Sequence, residues 1–544
     1  MTHSKTLWVL LLFFIIHVGC SDGEKSNRTT GGLDGGADGD TDGDTDTDTD
    51  SDTDSDSDGG TKTDSDSNSD SDTNNDTDSG ELTYAQDISL DAIEFNQGVA
   101  VKIAADGKHI PASKRNVKLV KNRGGLFRAI WKLKPGWSNR KIKAELTLKY
   151  SDGTESVFTD TKMINNAPNL NKLDGTFKWI LESDDVEVNM EYSVVLYEVT
   201  NQGAPDPASP PRIPQNGTIN LGVPDTRMVM EITLVPVTIK GETPDFGEQN
   251  KQAIVNGFYN MNPLSELKAT YHEPVVVKKA TIGAVLNTIT ALRSAENAAP
   301  QMYYIGLAPV SKTKWNGLSW MASDKPGAKR ASAAPVSNKP WNYPDDKTWG
   351  YTVHELGHAQ GRKHNPGCDA GDTDPNWPFG DDNTKINIQG YDLANNKLRA
   401  ADKYEDYMNY CFPDWPSAFT WKHTGIRIKK LSSWTTTYKS TQREWTLRGI
   451  ISSNPDEAPI WSAIKTISTP PSQEATVTAT ITLTSGSVIK KDGMESLLGD
   501  GKTTGIDLPL STDPSKIKSI ILNTSTKTFH VLPEGLADLY YSFL

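Results

Sequence analysis

The stretch from His354 to His364 reads H-E-x-x-H-x-x-G-x-x-H, and it restricts the fold more tightly than any other part of the chain. On an α-helix, His354 and His358 stand one turn apart on a shared face, so two imidazoles can hold one ion. Glu355 is rotated about 100° from His354, which sets its carboxylate beside the ion's open position rather than on the ion. Gly361 tolerates the left-handed conformation that ends helices, and the resulting turn brings His364 back as a third ligand. With 43 glycines and 9 histidines in 544 residues, a Gly and a His fall on two such fixed positions by chance about once in a thousand.

The flanks suit a buried helix. Pro344-Asp345-Asp346 supplies a start with acidic groups at the positive end of the dipole. Trp349, Thr352, Val353, Leu356 and Ala359 fall on the back of the wheel, where they can pack into a core. Gly350 and Gly357 are poor helix formers; they mark either a close approach by another group or ordinary packing.

The ends of the chain set the compartment. Lys5, the apolar run Leu7 to Ile16 and Val18-Gly19-Cys20 read as a signal peptide over 1–20. Its last residues resemble a bacterial lipobox, with His17 in place of an aliphatic residue. That resemblance implies lipidation of Cys20 and an anchored protein; a plain secreted product is the alternative. No second apolar run is long enough to span a bilayer. Residues 21–80 hold 20 acidic residues against 3 basic ones, Lys25, Arg28 and Lys62. That excess is larger than the whole chain's net charge of −14, so the acidity belongs to this stretch and says nothing about a substrate. With almost no apolar side chains it is expected to be a disordered tether. Asp38-x-Asp40-x-Asp42-Gly43 starts like a calcium loop, but Thr49 stands where the bidentate Glu belongs, so specific calcium binding is not expected.

The rest is long enough for about three domains. Residues 81–223 are expected to form a β-sandwich-like domain, since Ile142, Ala144, Leu146, Leu148 and Tyr150 alternate with polar residues before an Asp152-Gly153 turn. It serves as a spacer or a substrate-binding module. From about Asp225 the pattern changes to a strand over Met228 to Val237, a helix over Glu248 to Met261, a strand over Pro274 to Val277, a helix over Ile282 to Ala295 and a strand over Met302 to Pro309. That alternation argues for an α/β layer within 224–438. Ser319 to Val336 supplies either an open edge strand, to which an extended peptide could add, or a surface loop. Trp415 to Leu431 is expected to be a closing helix, with His423 a surface or packing residue. Residues 439–544 return to β, with Val477, Ala479, Ile481 and Leu483 alternating among threonines, and are expected to be an accessory β domain carrying no chemistry.

His354 to His364, followed by Tyr407-Met408-Asn409-Tyr410, resembles the metzincin clan of zinc endopeptidases. The resemblance implies an α/β (α+β) metzincin-like catalytic domain flanked by the N-terminal β-sandwich and the C-terminal β domain. It implies Zn2+ held by His354, His358 and His364, Glu355 as general base, and Met408 as an apolar support under the metal. It implies Tyr410 as an oxyanion-stabilising residue, or else a packed tyrosine. Cys368 and Cys411 follow the third histidine and Met408, two segments that should converge beneath the metal; they form either a disulfide or two free thiols. The implied function is hydrolysis of extracellular proteins or glycoproteins at a bacterial cell surface, with Cys20 as the lipid anchor. No nucleic-acid partner is expected, and the oligomeric state is left open. The alternative is a surface adhesion lipoprotein with a vestigial metal site.

Overall fold

The computed structural model describes residues 83–200, 209–314, 317–337, 341, 347–434, 443–467 and 475–536. The signal peptide, Cys20, the tether and the calcium-like loop lie outside these residues, as do Pro344-Asp345-Asp346 and the Trp349 side chain. The described residues belong to one compact unit, Ser79–Leu544.

Two antiparallel sheets open this unit. One runs Lys108–His109, Ala100–Ala105, Ile88–Asn96, Gly125–Leu133, Phe177–Leu181. The other runs Ile219–Asn220, Glu191–Glu198, Arg140–Lys149, Glu155–Ile164, with Arg212–Ile213 also paired to Glu191–Glu198. The alternation read from the sequence is visible in Arg140–Lys149, whose Ile142, Ala144, Leu146 and Leu148 are buried while the residues between them are only partly so. They share one apolar core with Ile93, Phe95, Phe127 and Tyr192 of both sheets.

The middle of the chain forms a six-stranded sheet. Its order is Glu266–Tyr271, Val229–Ile239, Tyr303–Pro309, Ala331–Val336, Leu318–Ser319, with Val275–Val277 beside the far end of Val229–Ile239. All pairings are parallel except the last, an antiparallel edge. Strands of such a sheet are apolar on both faces, and Tyr303–Pro309 shows it. Tyr303, Ile305 and Leu307 face one core, and Tyr304 and Ala308 the other. Helices α1 (Glu248–Met261) and α4 (Lys347–Ala359) cover the first face. Helix α2 (Ile282–Ala295) covers the second. Helix α3 (Val310–Thr313) is a single turn, and α5 (Ala418–Ser432) closes the layer on the side of Val229–Ile239. Ser417 starts α5 by accepting the Thr420 N–H at 3.2 Å, the usual role of a serine at that position.

The last sheet has seven antiparallel strands in the order Ile460–Ile467, Arg443–Ile451, Thr504–Pro509, Val488–Leu497, Val477–Leu483, Ile517–Asn523, Thr528–Val531. Its Ile450 reaches the core around α2, and Ser462 Oγ donates to Asn287 Oδ1 of that helix at 2.8 Å.

This architecture corrects the expected fold class. The chain is mostly β, 39% in strands against 17% in helices, with its last sheet curled into a half-barrel, and it does not adopt the α/β metzincin fold. The α/β expectation weighed the alternating segment after Asp225. Both flanks are antiparallel throughout. Between α4 and α5 the chain also runs as short strand pairs, Gly390–Asp392 with Lys397–Arg399 and Glu405–Asp406 with Asp414–Trp415. Local periodicity identifies elements but not how they pair, and the pairing decides the class.

Candidate metal centre

Helix α4 carries His354, Glu355 and His358 on the side away from Val353, Leu356 and Ala359, which sit in the core. The helix ends at Gly361, whose φ is +80°. The Arg362 N–H reaches back to Gly357 O at 2.9 Å and the Gly361 N–H to His358 O at 2.7 Å, the paired bonds of a glycine-terminated helix. A side chain at 361 would collide with Arg427 Nη2 at 2.6 Å and Ala322 O at 2.9 Å. The chain therefore turns there, and His364 returns to the helix face.

Three ring nitrogens converge. His358 Nε2 lies 3.1 Å from His354 Nε2 and 3.2 Å from His364 Nε2. Three imidazoles on one tetrahedral ion with metal–nitrogen bonds of about 2.05 Å need a spacing of about 3.3 Å. The other nitrogen of each ring donates to a backbone carbonyl: His354 Nδ1 to Tyr407 O at 2.8 Å, His358 Nδ1 to Arg362 O at 2.7 Å, His364 Nδ1 to Gly371 O at 2.5 Å. A carbonyl only accepts, so each Nδ1 carries its ring's proton. Burial, with His364 beside it, lowers the His354 pKa to about 3. Burial also pushes His358 well down and His364 down. Three neutral rings thus turn three lone pairs toward one point, an arrangement that repels itself unless a cation sits between them. The buried trio of His354, His358 and His364 can hold a metal ion.

Glu355 is 4% exposed. Burial raises its pKa to about 8, with Ser319 pulling the other way and Asp500 adding to the rise. The Ser319 hydroxyl lies 2.6 Å from Glu355 Oε2 and 2.9 Å from the Glu355 carbonyl, which also accepts from Ser332 Oγ at 3.0 Å.

Met408 is fully buried beneath the helix. A Cβ at Gly357 would meet its Sδ at 2.2 Å, so the poor helix former is there for close approach. The Tyr410 ring stands 4.8 Å from that of His364 and 5.6 Å from that of His354. Burial first, then Glu355, raises its phenol's pKa, so it stays a proton donor. Cys368 and Cys411 are disulfide-bonded, with Cα atoms 5.4 Å apart. The bond ties the loop after His364 to the segment after Met408. Arg362 and Asp374, paired at 2.7 Å, brace the same loop. His423 stands apart from the trio, its Nδ1 on Phe419 O at 2.8 Å.

Sequence reasoning missed three contributors. Ser319 lies on the edge strand Leu318–Ser319, and its hydroxyl is on Glu355. The edge is not open at that point, because the Gly499 N–H donates to Ser319 O at 2.8 Å. Gly499 belongs to the half-barrel and packs on the His358 ring: a Cβ there would be 2.6 Å from His358 Cγ. Asp500 follows it and bears electrostatically on Glu355, His364 and Tyr410. The Gly499-Asp500-Gly501 run signals a hairpin turn, but nothing local says what the turn faces. No protein-family description matches the chain, and no curated protein matches its sequence.

Proposed function

We propose that the chain is a zinc-dependent endopeptidase acting on extracellular proteins or glycoproteins. The observation that carries this reading is the trio of Nε2 lone pairs, each ring fixed through Nδ1, with a carboxylate alongside on the next residue of the helix. Nitrogen donors in a three-His set suit zinc, and three protein ligands leave the open position of a catalytic rather than a structural site. Held by His354, His358 and His364, zinc would supply a Lewis acid that brings the pKa of a water to about 7 and polarises a peptide carbonyl.

The protein's own groups do the rest. Glu355 accepts the attacking water's proton and returns it to the leaving amine. Burial sets its pKa at about 8, and a neighbouring dication draws a carboxylate's pKa down again, so it works as a base near neutrality. The Ser319 hydroxyl fixes Oε2 and keeps the carboxylate from turning away. The Tyr410 phenol, kept protonated by its surroundings, donates to the oxygen that becomes negative as the carbonyl turns tetrahedral. Met408 and Gly357 let the helix sit close on the segment whose Tyr407 carbonyl orients His354.

The Cys368–Cys411 bond supports an oxidising compartment. We extend the reading to a bacterial surface protein anchored through lipid on Cys20. The test is Glu355→Gln in the full chain. Zinc content, read by atomic absorption, should stay at the wild-type ratio, while chelator-sensitive cleavage of casein or a glycoprotein falls about 10²- to 10⁴-fold. Near-normal cleavage by the variant would overturn the proposal.

A further inference from the structure

The turn that joins Val488–Leu497 to Thr504–Pro509 in the half-barrel touches the surroundings of His358, His364 and Glu355. Gly499 backs the His358 ring and bonds to Ser319, whose hydroxyl serves Glu355. Gly501 packs on the Asp372 side chain, 2.6 Å from where its Cβ would be. Asp372 follows Gly371, the residue that holds His364. Between the two glycines stands Asp500, held rigidly. Its Oδ1 accepts the N–H groups of Lys502 at 3.0 Å and Thr503 at 2.8 Å, and its Oδ2 the Thr503 hydroxyl at 2.5 Å.

The charges nearby do not cancel it. Lys363 is engaged by Asp372 and Arg362 by Asp374, each at 2.7 Å. Lys502 acts on His364, whereas Asp500 acts on Glu355 and Tyr410 as well as on His364. Among the described residues no cation pairs with Asp500. The side of the centre that holds Glu355 and Tyr410 therefore carries a fixed negative charge on a rigid turn.

We propose that this turn is a substrate-facing wall of the metal cleft, and that Asp500 makes the cleft select peptides with a cationic side chain beside the scissile bond. The proposal rests on the endopeptidase reading. It makes the half-barrel part of the active site, not an accessory module.

The experiment uses the zinc-loaded full chain and peptides that differ only in Lys or Glu at each position flanking the cleaved bond. At one of these positions the wild type should favour Lys by about tenfold in kcat/KM. Asp500→Asn keeps an oxygen for the two N–H bonds of the turn but removes the charge, and should reduce that ratio to about threefold or less. Lys502→Gln removes a cation of the same turn, so a cationic substrate side chain beside Asp500 meets less repulsion and the ratio should rise, which decides the matter if the first variant fails to retain zinc. A wild-type ratio near one at every position, or ratios that neither substitution moves while zinc content is intact, would overturn the proposal. A zinc-loaded wild type that cleaves no peptide would instead sink the endopeptidase reading, and this proposal with it.

Discussion

The two antiparallel β bodies at the ends of the described chain grip the central layer in different ways. The N-terminal pair of sheets holds on by buried contacts to Trp415, Trp421, Tyr259 and Leu264. Gly98 sits against Trp421 of α5, 2.4 Å from where its Cβ would be, and Gly98 O accepts the Trp415 indole N–H at 2.7 Å. Arg123, fully buried, donates to Gln97 O at 2.6 Å and Leu264 O at 2.9 Å and stacks over Tyr259 and Trp421. The C-terminal half-barrel rests on α2 and then extends one turn onto His358 and Ser319. Buried area and closeness to the chemistry are thus separate properties: the first body braces the segments that carry the site, and the second forms part of its wall.

The comparison is sharpened by breaking one contact on each side. Arg123→Ala strips donors from carbonyls that stay buried and leaves a cavity between two rings. We expect a loss of about 3–4 kcal/mol of stability, read by denaturant unfolding, with zinc affinity of the folded protein unchanged. Gly499→Val should show the opposite signature. Its side chain would displace the His358 ring, lowering zinc affinity about ten- to hundredfold, as disturbing the surroundings of a metal-ligating histidine does, with a smaller effect on the unfolding midpoint. Competition titration against a chelator of known affinity measures it. Wild-type zinc affinity in the Gly499 variant would return the half-barrel to a supporting role.

How much of this was legible in the sequence follows from the range of the interactions. Helices over Glu248–Met261 and Ile282–Ala295 and the termination at Gly361 rest on periodicity and on one residue's backbone freedom, both local. The convergence of the three histidines was legible for the same reason, since His364 comes six positions after His358 and a helix end fixes their relation. Gly357 could be read only as an open choice until Met408 was found beneath it. Ser319 and Gly499 meet because a half-barrel folds back on a sheet far earlier in the chain, and no spacing records that. The fold class failed on the same ground: the elements of the middle segment were recognisable, but the weight of antiparallel pairing around them was not.

A last test separates brace from wall by pH. Asp414 lies on the short strand next to Trp415, the residue the N-terminal sheets hold, and its carboxylate is 3.2 Å from where a Cβ on Gly350 of α4 would be. Burial raises its pKa from 3.8 to about 7, with Asp406 adding to the rise and Arg399 opposing it. The folded chain therefore keeps a proton that the unfolded chain releases between those two values. Stability from this group is fully present below the lower value and lost as pH rises through the upper one. The difference between wild type and Asp414→Asn in denaturant unfolding should accordingly change by about 1–2 kcal/mol between pH 6 and pH 8, with the wild type relatively weaker at pH 8. Zinc stoichiometry should not follow that change at pH 7 and above, where ligand protonation is absent from both proteins. If zinc content tracked the Asp414 titration, the brace would itself be tuning the ligands, and the division between the two bodies would fail.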